Sequence, residues 1–148
     1  MSNPLAALQT GLYSRLTGFS ALTTLLGAVD EDGLQKVYDH VPQGRDAPYV
    51  VIGDDTTAES DTKSNNGWEV TITIHCWDFE KAGRLSVKNI MKEVYNALHK
   101  QESNITVTGF GLVLLYCTEQ FSFQEEVAEG AGDHYYHGVQ RFRAIIRA

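Results

Sequence analysis

Between Trp68 and Phe79 the chain alternates strictly. Trp68, Val70, Ile72, Ile74 and Cys76 point one way, and Glu69, Thr71, Thr73 and His75 the other. Successive side chains of an extended strand leave on opposite sides, so this spacing predicts a strand with one face buried against a core and the other wet or awaiting a partner. No other segment restricts the fold as strongly. At 148 residues the chain fits one domain, residues 1–148, built on one core.

The flanking segments predict what packs on that strand. Asn3 caps a helix starting at Pro4, with Leu5, Leu8, Leu12 and Leu16 on one stripe and Gly18 as its stop. A shorter helical piece runs from Ser20 to Leu26 and closes at Gly27, followed by a turn at Asp30–Gly33. Lys36 to Tyr38 reads as a short strand. Pro42, Gly44 and Pro48 break the chain before the strand Tyr49–Ile52, which ends at Gly53. From Asp54 to Gly67 nothing is periodic, and a long mobile loop is expected.

Beyond the alternating strand, Asp78 caps a helix carrying Val87, Ile90, Met91, Val94 and Leu98 on one stripe. Lys81, Arg84, Lys88 and Lys92 avoid that stripe. Ile105 to Cys117 is strand-rich, bent near Gly109 and Gly111, and its apolar run Leu112–Tyr116 reads as buried on both faces. Phe121 and Phe123 belong to an extension of that strand or to a further one, and both are assigned to the core. The acidic stretch Glu125–Asp133 joins them to a last strand, Tyr135–Ile146, as a long hairpin. Helices first, then strands around one more helix, predict an α+β domain with a mainly antiparallel sheet packed on two or three helices.

Chemistry is harder to find. His134 and His137 lie three apart on a strand and face opposite sides, so they do not share a metal; His75 and Asp78 fail as a dyad for the same reason. No GxSxG elbow, P-loop, GxGxxG fingerprint or HExxH occurs. Cys76 and Cys117 lack zinc-site spacing and read as free thiols. No cofactor or metal is expected. The competing classes are a small Mg²⁺-dependent hydrolase using Asp54, Asp55 and His75, and a ligand-binding module with a pocket beside Trp68 and Trp77, two residues of opposite strand parity.

Charge says more than any single residue. The net charge of −7 disfavours an affinity built on phosphate neutralisation, and with it sequence-specific DNA binding. No apolar run is long enough to span a bilayer and no export signal is visible, so no membrane partner is expected. The acids Asp54, Asp55, Glu59 and Asp61 share one segment, and Glu119, Glu125, Glu126, Glu129 and Asp133 another. Bases gather at Lys81, Arg84, Lys88 and Lys92 and at Arg141, Arg143 and Arg147. Such segregation allows one subunit's basic face to meet another's acidic one, a head-to-tail contact of the kind that closes rings.

Several segments in order carry a family likeness: Val37-Tyr38-Asp39-His40-Val41-Pro42-Gln43-Gly44, Pro48 to Gly53, Thr73-Ile74-His75-Cys76-Trp77, Gly83-Arg84, Leu98-His99, and His137 to Ala144. In these the chain resembles the tail-completion, or tail-terminator, proteins of long-tailed bacteriophages and prophages. The resemblance implies a small α+β structural subunit, not an enzyme. It implies a ring, generally of six copies, on the head-proximal end of the tail tube, where it stops tube growth and docks the head connector while DNA passes through without sequence-specific binding. The protein would then be a virion component made in the host bacterial cytoplasm, with itself, the tail tube protein and the connector as partners. On that reading the acids Asp54, Asp55, Glu59, Asp61, Glu125, Glu126, Glu129 and Asp133 face the channel or a neighbouring ring. Lys81, Arg84, Lys88, Lys92, Arg141 and Arg143 are the candidate subunit contacts.

Overall fold

The computed structural model describes residues 3–42, 44–126 and 134–148. Helices α1 (Leu5–Gly18) and α2 (Ser20–Leu26) open the chain, followed by strands β1 (Val37–Tyr38), β2 (Tyr49–Glu59) and β3 (Gly67–Phe79). Helix α3 (Arg84–Leu98) precedes the long strands β4 (Gly111–Glu126) and β5 (His134–Arg147). The five strands form one sheet in the order β1-β2-β3-β5-β4, antiparallel except for the short parallel β1–β2 pair. Among the described residues the three α-helices lie on one side of it, so the α+β expectation holds.

The alternation of β3 sets the two faces. Trp68, Val70, Ile72, Ile74 and Cys76 are buried, and so are their cross-strand partners Phe142, Ala144 and Ile146 on β5. Against them pack Leu8, Leu12 and Leu16 of α1, Leu22 and Leu26 of α2, and Val87, Ile90, Met91, Val94 and Leu98 of α3, the leucine and aliphatic stripes read from spacing. Arg15 ties the helical layer together, its Nε donating to the Ala97 carbonyl at 2.8 Å near the end of α3.

Some boundaries differ from those predicted. Asn3 does accept the Leu5 N–H (3.2 Å), but the helix begins at Leu5. Asp78 does not cap α3: it is buried at the end of β3, where its carboxylate takes the Phe79 N–H (2.8 Å) and the Ser86 hydroxyl, and Gly83 with φ 81° starts the helix instead. The expected loop 54–67 is mostly strand. β2 continues past Gly53 through a bulge between Ile52 and Asp55 and pairs with β3 as far as Glu59, leaving a short turn in which Asp61 accepts the Gly67 N–H at 3.0 Å. Ile105 and Val107 are buried but lie outside β4, which begins at Gly111. The run Leu112–Tyr116 is not buried on both faces, since only Leu115 is fully enclosed and Val113 is 55% exposed. Phe121 and Phe123 are not core either, at 39% and 38% exposure.

One close approach yields a prediction. At Gly11 the α1 backbone lies against the Thr106 carbonyl, and a Cβ built there would overlap that oxygen. Alanine in a helix gains about 1 kcal/mol over glycine from propensity, but pushing two backbones apart costs about 1–3 kcal/mol. Gly11→Ala is therefore expected to lower stability in urea denaturation. Gly18→Ala, with nothing within 4 Å of the added carbon, is expected to be neutral or slightly stabilising.

Candidate functional site

The helices cover one face of the sheet, and the other carries the chemistry. Cross-strand pairing brings together Tyr49 of β2, Trp77 of β3, His137 of β5 and Phe123 of β4 in a row across the sheet, with Val51, His75, Val139 and Phe121 in the next. Trp77 stacks on the His137 ring with centroids 3.8 Å apart, and Phe123 lies 5.0 Å from the same ring. Phe121 stacks with Phe123 at 6.1 Å, and Tyr135 packs on Phe79 at 5.5 Å. This end of the open face is an aromatic band.

Three titratable groups cross it in one hydrogen-bonded chain. His75 Nδ1 is 2.7 Å from His137 Nε2, and His137 Nδ1 is 2.7 Å from the Glu125 carboxylate. Because the carboxylate accepts, His137 carries its proton on Nδ1 and leaves Nε2 bare, so His75 donates from Nδ1. That fixes both tautomers of the neutral pair. The His75 ring lies over Gly53, where a Cβ would come within 2.8 Å of it. Burial pulls both imidazoles below their usual range. For His75 the neighbouring His137 adds to this while Asp54 and Glu125 oppose it; for His137 the Glu125 hydrogen bond opposes it.

The other end of the open face holds ion pairs. Arg143 donates to Glu69 at 2.5 Å and to the Tyr116 hydroxyl at 2.7 Å, which raises the guanidinium pKa further and lowers that of Glu69. Arg141 donates to Glu119 at 2.5 Å. Arg147 reaches the Ser60 carbonyl at 2.5 Å. These arginines are engaged within the subunit.

The model for the tail completion protein gp17 family matches residues 10–147. The chain belongs to that family. It is a family of structural tail proteins, and the chain is accordingly a component of a phage-type virion. Among solved structures, a chain of the virion of a native gene transfer agent particle superposes with a TM-score of 0.78 at 24% identity, with 100% of each chain covered; that likeness is one of fold. No curated protein matches the sequence.

For this member of the family the predicted residues fall into separate groups. Lys81, Arg84, Lys88 and Lys92 are exposed around α3, with Arg84 over the Tyr136 ring (4.9 Å) and Lys81 over Phe79 (6.0 Å), whereas Arg141 and Arg143 stand on the opposite side of the sheet. Asp54, Asp55 and Glu59 are exposed on β2, and Asp61 holds the turn that follows. Glu125 is bound to His137, Glu126 ends β4, and Glu129 and Asp133 lie outside the described residues.

Asp54, Asp55 and His75 do not converge, and among the described residues no group of three or more His, Cys, Asp or Glu could hold a metal ion. Trp68 packs on Phe110 on the helix side and Trp77 on the open side, so they do not share a pocket. Cys76 and Cys117 are free thiols, with burial raising both pKa values. The His75–His137 contact joins residues 62 apart and was missed; parity alone would have put both on one face, but only the β3–β5 register brings them together.

Proposed function

We propose that the chain is a ring-forming subunit, one of six, at the head-proximal end of a tail tube. There it ends tube growth and offers the surface on which the head connector docks. The observation that carries this reading is a sheet face that no described helix covers, with Trp77 half-buried and Phe121 and Phe123 exposed on it, while on the helix side Lys88 and Lys92 of α3 are exposed and make no ion pair among the described residues. A contiguous partly exposed aromatic surface in a small domain marks a contact with another protein. Family membership supplies the tail, and the fold neighbour is itself a chain of a gene transfer agent virion. The net charge of −7 suits a ring through which DNA passes without adhering, since like charges repel.

In this reading Lys81, Arg84, Lys88 and Lys92 contact a neighbouring subunit, and the acids within 54–61 and 125–133 lie at a ring contact or face the channel. The test is electron microscopy of the protein mixed with tail tubes, where a density capping one end is expected; tubes that keep growing, with bare ends, would refute the reading. Lys88→Glu with Lys92→Glu is expected to weaken assembly, and raising salt should weaken wild-type assembly in the same direction. Capping at wild-type levels by the double variant would remove α3 from the contact.

A further inference from the structure

We propose that the two uncovered edges of the sheet are complementary halves of one seam: the outer edge of β2 at Asp55–Glu59 pairs antiparallel with the outer edge of β4 at Gln120–Gln124 in a second copy of the chain. This rests on the ring reading and names the surface that closes it.

The backbone hydrogen bonds show which groups point outward. On β2 the Val50 N–H donates to Lys36 on the β1 side (3.0 Å), and the Ser60 N–H donates to Gly67 on the β3 side (2.8 Å). Strand residues alternate, and the bulge between Ile52 and Asp55 shifts the alternation by one. Asp55, Thr57 and Glu59 therefore direct their N–H and C=O away from β3. β1 pairs only with Val50 and Val51, so it does not reach them. On β4 the outer edge is partly closed: the Leu115 carbonyl accepts the Lys100 N–H (2.8 Å) and the Cys117 N–H donates to His99 Nδ1 (3.0 Å). Past the bulge between Cys117 and Glu119, Gln120, Ser122 and Gln124 point the same way. Among the described residues nothing pairs with these six backbones. Three outward residues face three.

Charge and facing agree with this pairing. Asp55, Thr57 and Glu59 stand opposite Ile72, Val70 and Trp68, all helix-side residues, so their side chains leave on the helix side. Gln120, Ser122 and Gln124 stand opposite Gln140, Gly138 and Tyr136 and share that side. Beside them is a groove of about 460 Å³ between β4 and α3, lined by Lys88, Met91, Lys92 and Tyr95. Residues paired across strands share a face, so the incoming β2 carboxylates would enter this groove over the two lysines.

Direction also follows. Each neighbouring pair in β2-β3-β5-β4 is antiparallel, so β2 and β4 run oppositely within one subunit, and a rotation about an axis along the strands keeps them so. Asp55 then lies opposite Gln124, Thr57 opposite Ser122 and Glu59 opposite Gln120. Helix α3 passes Tyr136 at Arg84 and Gln140 at Met91, and just beyond its end Lys100 meets Leu115. That order sets Asp55 nearer Lys88 and Glu59 nearer Lys92. The acidic edge repels its own kind, which discriminates against β2–β2 pairing, and closing the ring leaves neither edge exposed.

The test is a cysteine pair, Thr57→Cys with Ser122→Cys, in the full chain carrying Cys117→Ser. Opposed hydrogen-bonded strand residues have Cα atoms about 5.5 Å apart, within disulfide reach. Oxidation of the purified protein and of tails that carry it should give a ladder of linked multimers, while each single cysteine stops at dimers. If light scattering or microscopy shows rings and no ladder forms, the seam is wrong and the ring reading stands. If no assembly forms in solution or on tails, both fall. Ser122→Pro offers a second measurement, because it removes an outward N–H that the β4–β5 ladder does not use. Its thermal unfolding should match wild type while self-association weakens about tenfold, the loss of roughly one hydrogen bond; unchanged association with an unchanged melt would overturn the seam.

Discussion

Phe142→Ala is expected to destabilise the protein by about 3–5 kcal/mol and to lower its Tm by about 10 °C. Phe142 is among the largest fully buried side chains and stands in the middle of β5, opposite Ile72 on one side and Cys117 on the other. Truncation removes the transfer free energy of the ring and leaves a cavity that strands fixed on both flanks close poorly. Its neighbour Arg141 makes the contrast. Its pair with Glu119 is about half exposed at both ends, and exposed pairs contribute at most about 1 kcal/mol. Urea titrations should show the Phe142→Ala midpoint falling steeply with an unchanged slope, and Arg141→Ala close to wild type.

That contrast also explains what the sequence disclosed. β3 and α3 were legible because each buries one face completely, and a buried face writes its period into the residue types. The second half of β2 was not. All six residues from Asp54 to Glu59 are exposed, so neither side of the strand needs apolar residues, and only pairing with β3 makes it a strand. β4 misled in the opposite sense: a continuous apolar run signals burial on both faces, but as the outermost strand β4 has bulges at Leu112/Leu114 and Cys117/Glu119 and turns Val113 outward. Asp78 looked like a cap because an acid before a helical stripe usually is one; here the short 3-10 turn Glu80–Ala82 intervenes. The charge segregation was visible in composition, whereas the separation of Arg141 and Arg143 from the α3 lysines required knowing the two sides of the sheet.

The open face should also make the fold acid-sensitive. In the neutral pair His75 donates to His137 and His137 to Glu125. One added proton can sit on His75 Nε2, but a second, on His137 Nε2, would set two N–H groups against each other at 2.7 Å. Asp54 and Glu125 favour the charged forms, Arg141 opposes charge on His75, and burial opposes both more strongly. With folded-state pKa values below the ordinary value of about 6.5, the unfolded chain binds more protons as the pH drops through that value. Stability contributed by the neutral pair is thus fully present above about pH 6.5 and is lost as pH falls from there toward the folded-state values, below which the loss levels off. Tm measured from pH 7.5 down to pH 5 should fall on the acid side for wild type. In His75→Phe, which keeps a ring over Gly53 but cannot titrate, the slope should be shallower; an identical slope in both proteins would show that the pair is not the titrating element.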